Sequence, residues 1–82
     1  MYEIIFSSKA LGQLESLDKS IRERILATLQ RLRFRPETFV KRLAGQSSYS
    51  LRVGDYRIIM DINRGKLLIL VIKVGHRRNV YK

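Results

Sequence analysis

Arg52 and Arg57 are the residues whose types and spacing first point to chemistry in this chain. They bracket Val53-Gly54-Asp55-Tyr56, in which Gly-Asp reads as the two-residue loop of a β-hairpin. Such a loop pairs Val53 with Tyr56, Arg52 with Arg57, and Leu51 with Ile58. The apolar residues then match across the strands, which supports that register. Two directly opposed arginines repel one another mildly, on the order of 0.2–1 kcal/mol. A bound phosphate reverses the sign, because a guanidinium stays charged and grips phosphate oxygens through two parallel bonds. Splaying into water is the ordinary fate of a single arginine. An opposed pair in a basic segment favours an anion site.

The end of the chain adds to this set. Gly75-His76-Arg77-Arg78-Asn79-Val80-Tyr81-Lys82 brings two more arginines, the only histidine and a tyrosine into a short stretch. An imidazole titrates near neutrality and can move a proton. A tyrosine here is either an edge-of-core aromatic or a platform on which an unstacked base lies. Other site chemistries fail on inventory. One histidine and no cysteine are too few for a usual zinc site. The acids form no glycosidase pair, and neither a P-loop nor a GxGxxG run is present. No metal and no cofactor are expected.

The charge is segregated along the chain. Lysine and arginine number 17 against 7 acids, a formal net charge of +10. Lys9, Lys19, Arg22 and Arg24 are cancelled by Glu3, Glu15, Asp18 and Glu23. The remaining 13 cations face only Glu37, Asp55 and Asp61. An even spread would read as a solubility charge. Segregation on this scale indicates a polyanionic partner, either nucleic acid, most readily RNA, or an acidic protein.

The elements that must position these residues follow from periodicity. At 82 residues, 45% of them hydrophobic, the chain is one domain, 1–82, with a modest core. The N-terminus lacks the basic region of a signal peptide, and Leu67 to Ile72 is too short to cross a bilayer. A soluble, cytoplasmic protein is expected. Tyr2 to Phe6 reads as a strand. Ser7 or Ser8 then caps a helix with Ala10, Leu11, Leu14 and Leu17 on one stripe. A second helix starts near Asp18, with Ser20 to Glu23 at capping-box spacing, Asp18 competing as the cap, and Ile21, Ile25, Leu26, Leu29 and Leu32 on its apolar face. It stops at Arg35-Pro36. A connector, Glu37 to Gln46, leads to three strands: Ser48–Val53, Tyr56–Ile62 and Lys66–Val74. Turns at Gly54-Asp55 and Asn63-Arg64-Gly65 separate them. The last strand is apolar on both faces and should be central, with the N-terminal strand on its free side. The expected fold is α+β, in the order β-α-α-β-β-β: a four-stranded, mainly antiparallel sheet with a two-helix hairpin on one face. The arginine pair lies on the other face.

Several runs taken together resemble the RelE/ParE toxin superfamily, and its RelE-like branch most closely. They are Lys41-Arg42-Leu43-Ala44-Gly45, Tyr49-Ser50-Leu51-Arg52-Val53-Gly54-Asp55-Tyr56-Arg57, Val74-Gly75-His76-Arg77, and Tyr81. The element order matches as well, so the resemblance spans nearly the whole chain.

That resemblance implies the toxin of a type II toxin–antitoxin system. The implied activity is a ribosome-dependent endoribonuclease, an mRNA interferase that cuts messenger RNA in the A site and so inhibits translation. The ribose 2′-OH attacks the adjacent phosphate. Carried over by position, Arg57 and Arg77 grip the scissile phosphate, Arg77 protonates the leaving oxygen, and Tyr81 stacks on the base. Arg52 stands where the best-known RelE type has lysine. Lys41, Arg42, Lys73 and Arg78 are expected to contact RNA. Ser50 departs from the pattern, because that type carries there a lysine proposed to assist loss of the 2′-OH proton. His76 is the nearest substitute, and weak activity or altered codon preference is an equally fair expectation. The implied partners are the ribosome, messenger RNA and a RelB-like acidic antitoxin that wraps the basic surface or displaces Tyr81. The toxin is expected to be monomeric or bound to that antitoxin. With the sequence ending at Lys82, the C-terminal helix of some relatives is not expected. The alternatives are a ParE-like poison of DNA gyrase and an RNA-binding module without catalysis.

Overall fold

The computed structural model describes residues 1–42 and 48–76. Strand β1, Glu3–Phe6, opens the chain and is followed by helix α1, Ser8–Glu15. Ser7 caps α1, its hydroxyl accepting the Ala10 N–H at 3.0 Å. Helix α2, Lys19–Leu32, buries Ile25, Leu29 and Leu32, three residues of the expected stripe. Asp18 stands at its N-cap without a side-chain bond, and Ser20 lies inside the helix. The capping box therefore does not form: Ser20 is already past the position at which its hydroxyl would meet a free N–H. Arg35 takes an extended backbone, φ −146°, ahead of Pro36, as the proline ring demands.

After a 3₁₀ turn at Pro36–Thr38 come β2, Lys41–Arg42, β3, Tyr49–Val53, β4, Tyr56–Asn63, and β5, Leu68–His76. The sheet is five-stranded in the order β1-β5-β4-β3-β2. It is antiparallel except between β1 and β5. The α+β class, the element order and the central last strand agree with the sequence reading. The extra strand is β2, inside the expected connector. Two residues carry no readable alternation, and only pairing with β3 makes them a strand. β5 also runs on to His76, past the expected end at Val74, so Gly75 lies within the strand.

Both helices cover one face of the sheet. Ala10, Leu14, Ile25, Leu29 and Leu32 pack there with Leu51, Val53, Ile58, Met60, Ile69, Val71 and Val74. Beyond Phe6, β1 no longer borders β5, and α1 takes over its bonding. Ser7 Oγ donates to Ile72 O at 2.9 Å, and Gln13 Oε1 accepts the Val74 N–H at 2.8 Å. These bonds satisfy main-chain groups that the short first strand leaves exposed.

Candidate functional site

The face of the sheet turned away from the helices carries the candidate site. The β3–β4 register pairs Val53 with Tyr56, Arg52 with Arg57, and Leu51 with Ile58, as the hairpin loop requires. Gly54 adopts φ +59° in that loop, a conformation suited to a residue without Cβ. Arg52 is exposed and Arg57 half-buried. Across the rung, Arg57 faces Gly75 on β5, which adds no side chain beside the guanidinium. The neighbouring rung runs Lys41, Ser50, Ile59 and Lys73 across four strands. Two rungs thus gather Lys41, Arg52, Arg57 and Lys73 on one face.

Lys73 reaches this face because of a β-bulge. Strict alternation along β5 would align Lys73 with the buried Ile69 and Val71. The register shifts at Ile59/Met60, pairing Ile59 with Lys73 and Met60 with Val71, so Ile72 is the extra residue. The shift turns Val74 into the core and Lys73 out beside Ile59. No local signal marks the shift: Val74 continues the alternation of the equally apolar Leu70 and Ile72, so the sequence permits either phase.

Ser50 is buried, 4% exposed, and its hydroxyl accepts from Arg57 Nη1 at 3.4 Å. It supports an arginine and does not project into solvent. Arg52 Nε donates to Gly54 O at 3.2 Å. His76 pairs with Tyr56, and their rings meet edge to face with centroids 5.6 Å apart. Tyr56 belongs to the helix-side row, so the sheet does not bring His76 together with Arg52 and Arg57. Arg42, opposite Tyr49, likewise falls in the alternate row to Lys41. Arg77, Arg78 and Tyr81 lie outside the described residues, as do Leu43, Ala44 and Gly45.

The other end of the open face differs. A groove of about 480 Å³ is lined by Asp61, Ile62, Asn63, Arg64, Leu68 and Leu70. Arg64 is tied to Glu37, Nε to Oε1 at 2.8 Å. That hydrogen bond holds the Glu37 carboxyl below its ordinary pKa and raises the guanidinium further. Asp61 accepts from Ser48 Oγ at 3.1 Å. Arg33, another cation of the basic half, is bound to Tyr2 O and Gln30. Some of the excess charge is therefore structural, and the basic end near Gly54 is set apart from the groove. No group of acids and histidines able to hold a metal ion occurs among the described residues. No helix among them is long and apolar enough to cross a membrane.

This mixed sheet backed by an αα-hairpin matches the fold of RelE toxins. The chain superposes on the RelE–RelB complex of Pyrococcus horikoshii with a TM-score of 0.81 and 29% identity, covering 96% of this chain and 98% of that one. For the intact Escherichia coli RelBE complex the TM-score is 0.82 and the identity 25%, with 93% and 96% covered. The RelBE2 complex of Mycobacterium tuberculosis shares the fold at a TM-score of 0.83 and 24% identity, with 93% and 98% covered. Within this superfamily the chain belongs to the family of ParE toxins of type II toxin–antitoxin systems (parDE), which matches residues 4–81. Among curated protein sequences none is significantly similar.

Proposed function

We propose that this toxin is a ribosome-dependent endoribonuclease that cleaves messenger RNA by attack of the 2′-OH on the scissile phosphate. The observation that carries the reading is the directly opposed pair Arg52 and Arg57 on the open face of the sheet. Opposed like charges are retained at an energetic cost, and a phosphate removes it. Arg57, steadied by Ser50, grips the phosphate and stabilises the charge that develops on it. Arg77 and Tyr81 complete the site by protonating the leaving oxygen and stacking on the base. Ser50 offers no ammonium for the 2′-OH. Lys73, one rung from Arg57, steadies the developing alkoxide as an ammonium, and the 2′-OH proton passes to water. The ribosome supplies most of the substrate positioning, which suits a site with so few groups. The antitoxin is an acidic, RelB-like segment laid over the basic face, in keeping with the RelB–RelE complexes among its structural neighbours.

Primer extension on a translated message tests the reading. The purified toxin should produce cuts in phase with codons. Arg57→Ala, Arg77→Ala and Tyr81→Ala should each lose about 100-fold or more in rate, the usual cost of one electrostatic group. The family match to ParE toxins favours one second reading, a poison of DNA gyrase. Inhibited supercoiling with the message intact would establish that reading instead.

A further inference from the structure

Arg24 stands on the solvent side of α2, outside the open face of the sheet, yet its guanidinium reaches the tip of the β3–β4 hairpin. A Cβ on Gly54 would lie 3.4 Å from Arg24 Nη1 and 3.9 Å from its Cζ. From the other side of the sheet Arg52 bends over the same turn and donates to Gly54 O at 3.2 Å. Two exposed guanidiniums therefore converge on one glycine from opposite faces. Asp55, the carboxylate in that turn, forms an ion pair with neither of them among the described residues. Glu23, beside Arg24 in sequence, is directed at Lys19 at 3.9 Å. Gly54 itself adds no side chain to that tip.

We propose that Arg24, across Gly54 from Arg52, forms a second phosphate site that takes a backbone phosphodiester of single-stranded RNA, with Arg52 shared between it and the adjacent phosphate held at Arg57. The proposal rests on the reading of the open face as an RNA site and adds to it a residue from the helical layer. Phosphate contacts fix register and carry no base information. The tip therefore contributes affinity and alignment without sequence preference. It also explains a link between layers: α2 presents its cation at the hairpin that carries the arginine pair.

Fluorescence anisotropy with a labelled, 2′-O-methylated single-stranded oligonucleotide, which cannot be cut, measures this over a range of salt. Each phosphate contact to a single strand contributes about 0.7 to the slope of log affinity against log salt. Arg24→Ala should lower the slope by about 0.7 and weaken oligonucleotides of different sequence alike, while Arg24→Lys keeps most of it. Arg31→Ala is the control, since Arg31 is exposed on the same helix and its guanidinium meets Thr28. It should leave the slope unchanged. An unaltered slope in Arg24→Ala overturns the second site, as does an equal fall in Arg31→Ala. Arg57→Ala, measured in parallel, separates the two levels. If it weakens binding while Arg24→Ala does not, only the second site fails. If neither changes binding, the RNA reading of the face fails with it. Circular dichroism confirms that each variant is folded.

Discussion

Replacing Arg52 by threonine removes one member of a like-charged cross-strand pair and installs a residue with high strand propensity. The expected result is a gain in stability of about 0.2–1 kcal/mol in urea unfolding at low salt. The gain should shrink in 1 M salt, where the Debye length is about 3 Å. RNA cleavage should fall in the same variant. Stability and activity moving in opposite directions is the mark of a position kept for binding. If Arg52→Thr destabilises the protein, the pair is not repulsive in the native sheet. Ser50 shows the same logic in reverse. Its hydroxyl is buried against Arg57, so its effect on chemistry passes through the orientation of that guanidinium.

Among the elements, α1 does more than cover the core. It supplies Ser7 and Gln13 to β5 where β1 has ended, and β5 bears Lys73 and Gly75. Gln13→Ala leaves the Val74 N–H without its acceptor in a half-buried position. Unfolding by denaturant should show a loss of about 1–3 kcal/mol, the cost of an unsatisfied amide. Hydrogen exchange should quicken at Val74 first, because the opening is local before it is global. No change at Val74 would show that water replaces Gln13 without cost. The bulge beside this bond sets the phase of β5, so a looser Val74 also loosens the placement of Lys73.

At the scale of the whole molecule, Glu37 and Arg64 tie the 3₁₀ turn to the β4–β5 turn across the connector. The Glu37 carboxyl is shifted down, chiefly by its hydrogen bond from Arg64. A depressed carboxylate stabilises the fold above its unfolded pKa, and that contribution is lost as pH falls through the lowered folded value. Thermal midpoints of wild type and Glu37→Gln should therefore differ by a constant, small amount near neutrality. The difference should close as acid titrates the carboxyl. Both side chains are about half exposed, so high salt should also narrow the gap. A gap that persists in acid would assign the effect to packing.

Much of this protein follows from local patterns. The helix stripe ending at Leu32, ahead of Pro36, the alternation of β3 and β4, and the Gly54-Asp55 loop determine the α+β class and oppose Arg52 to Arg57. Those features depend on neighbours in sequence, and side-chain period and turn chemistry are enough to fix them. Tertiary structure decided the rest. β2 exists only because β3 lies beside it. Lys73 faces the site only because a bulge opposite Ile59 shifts the phase of β5. His76 joins Tyr56 on the helical side for the same reason. Arg24 meets Gly54 because α2 crosses the sheet near the hairpin tip. Each depends on a contact between residues far apart in the chain, which no local period encodes.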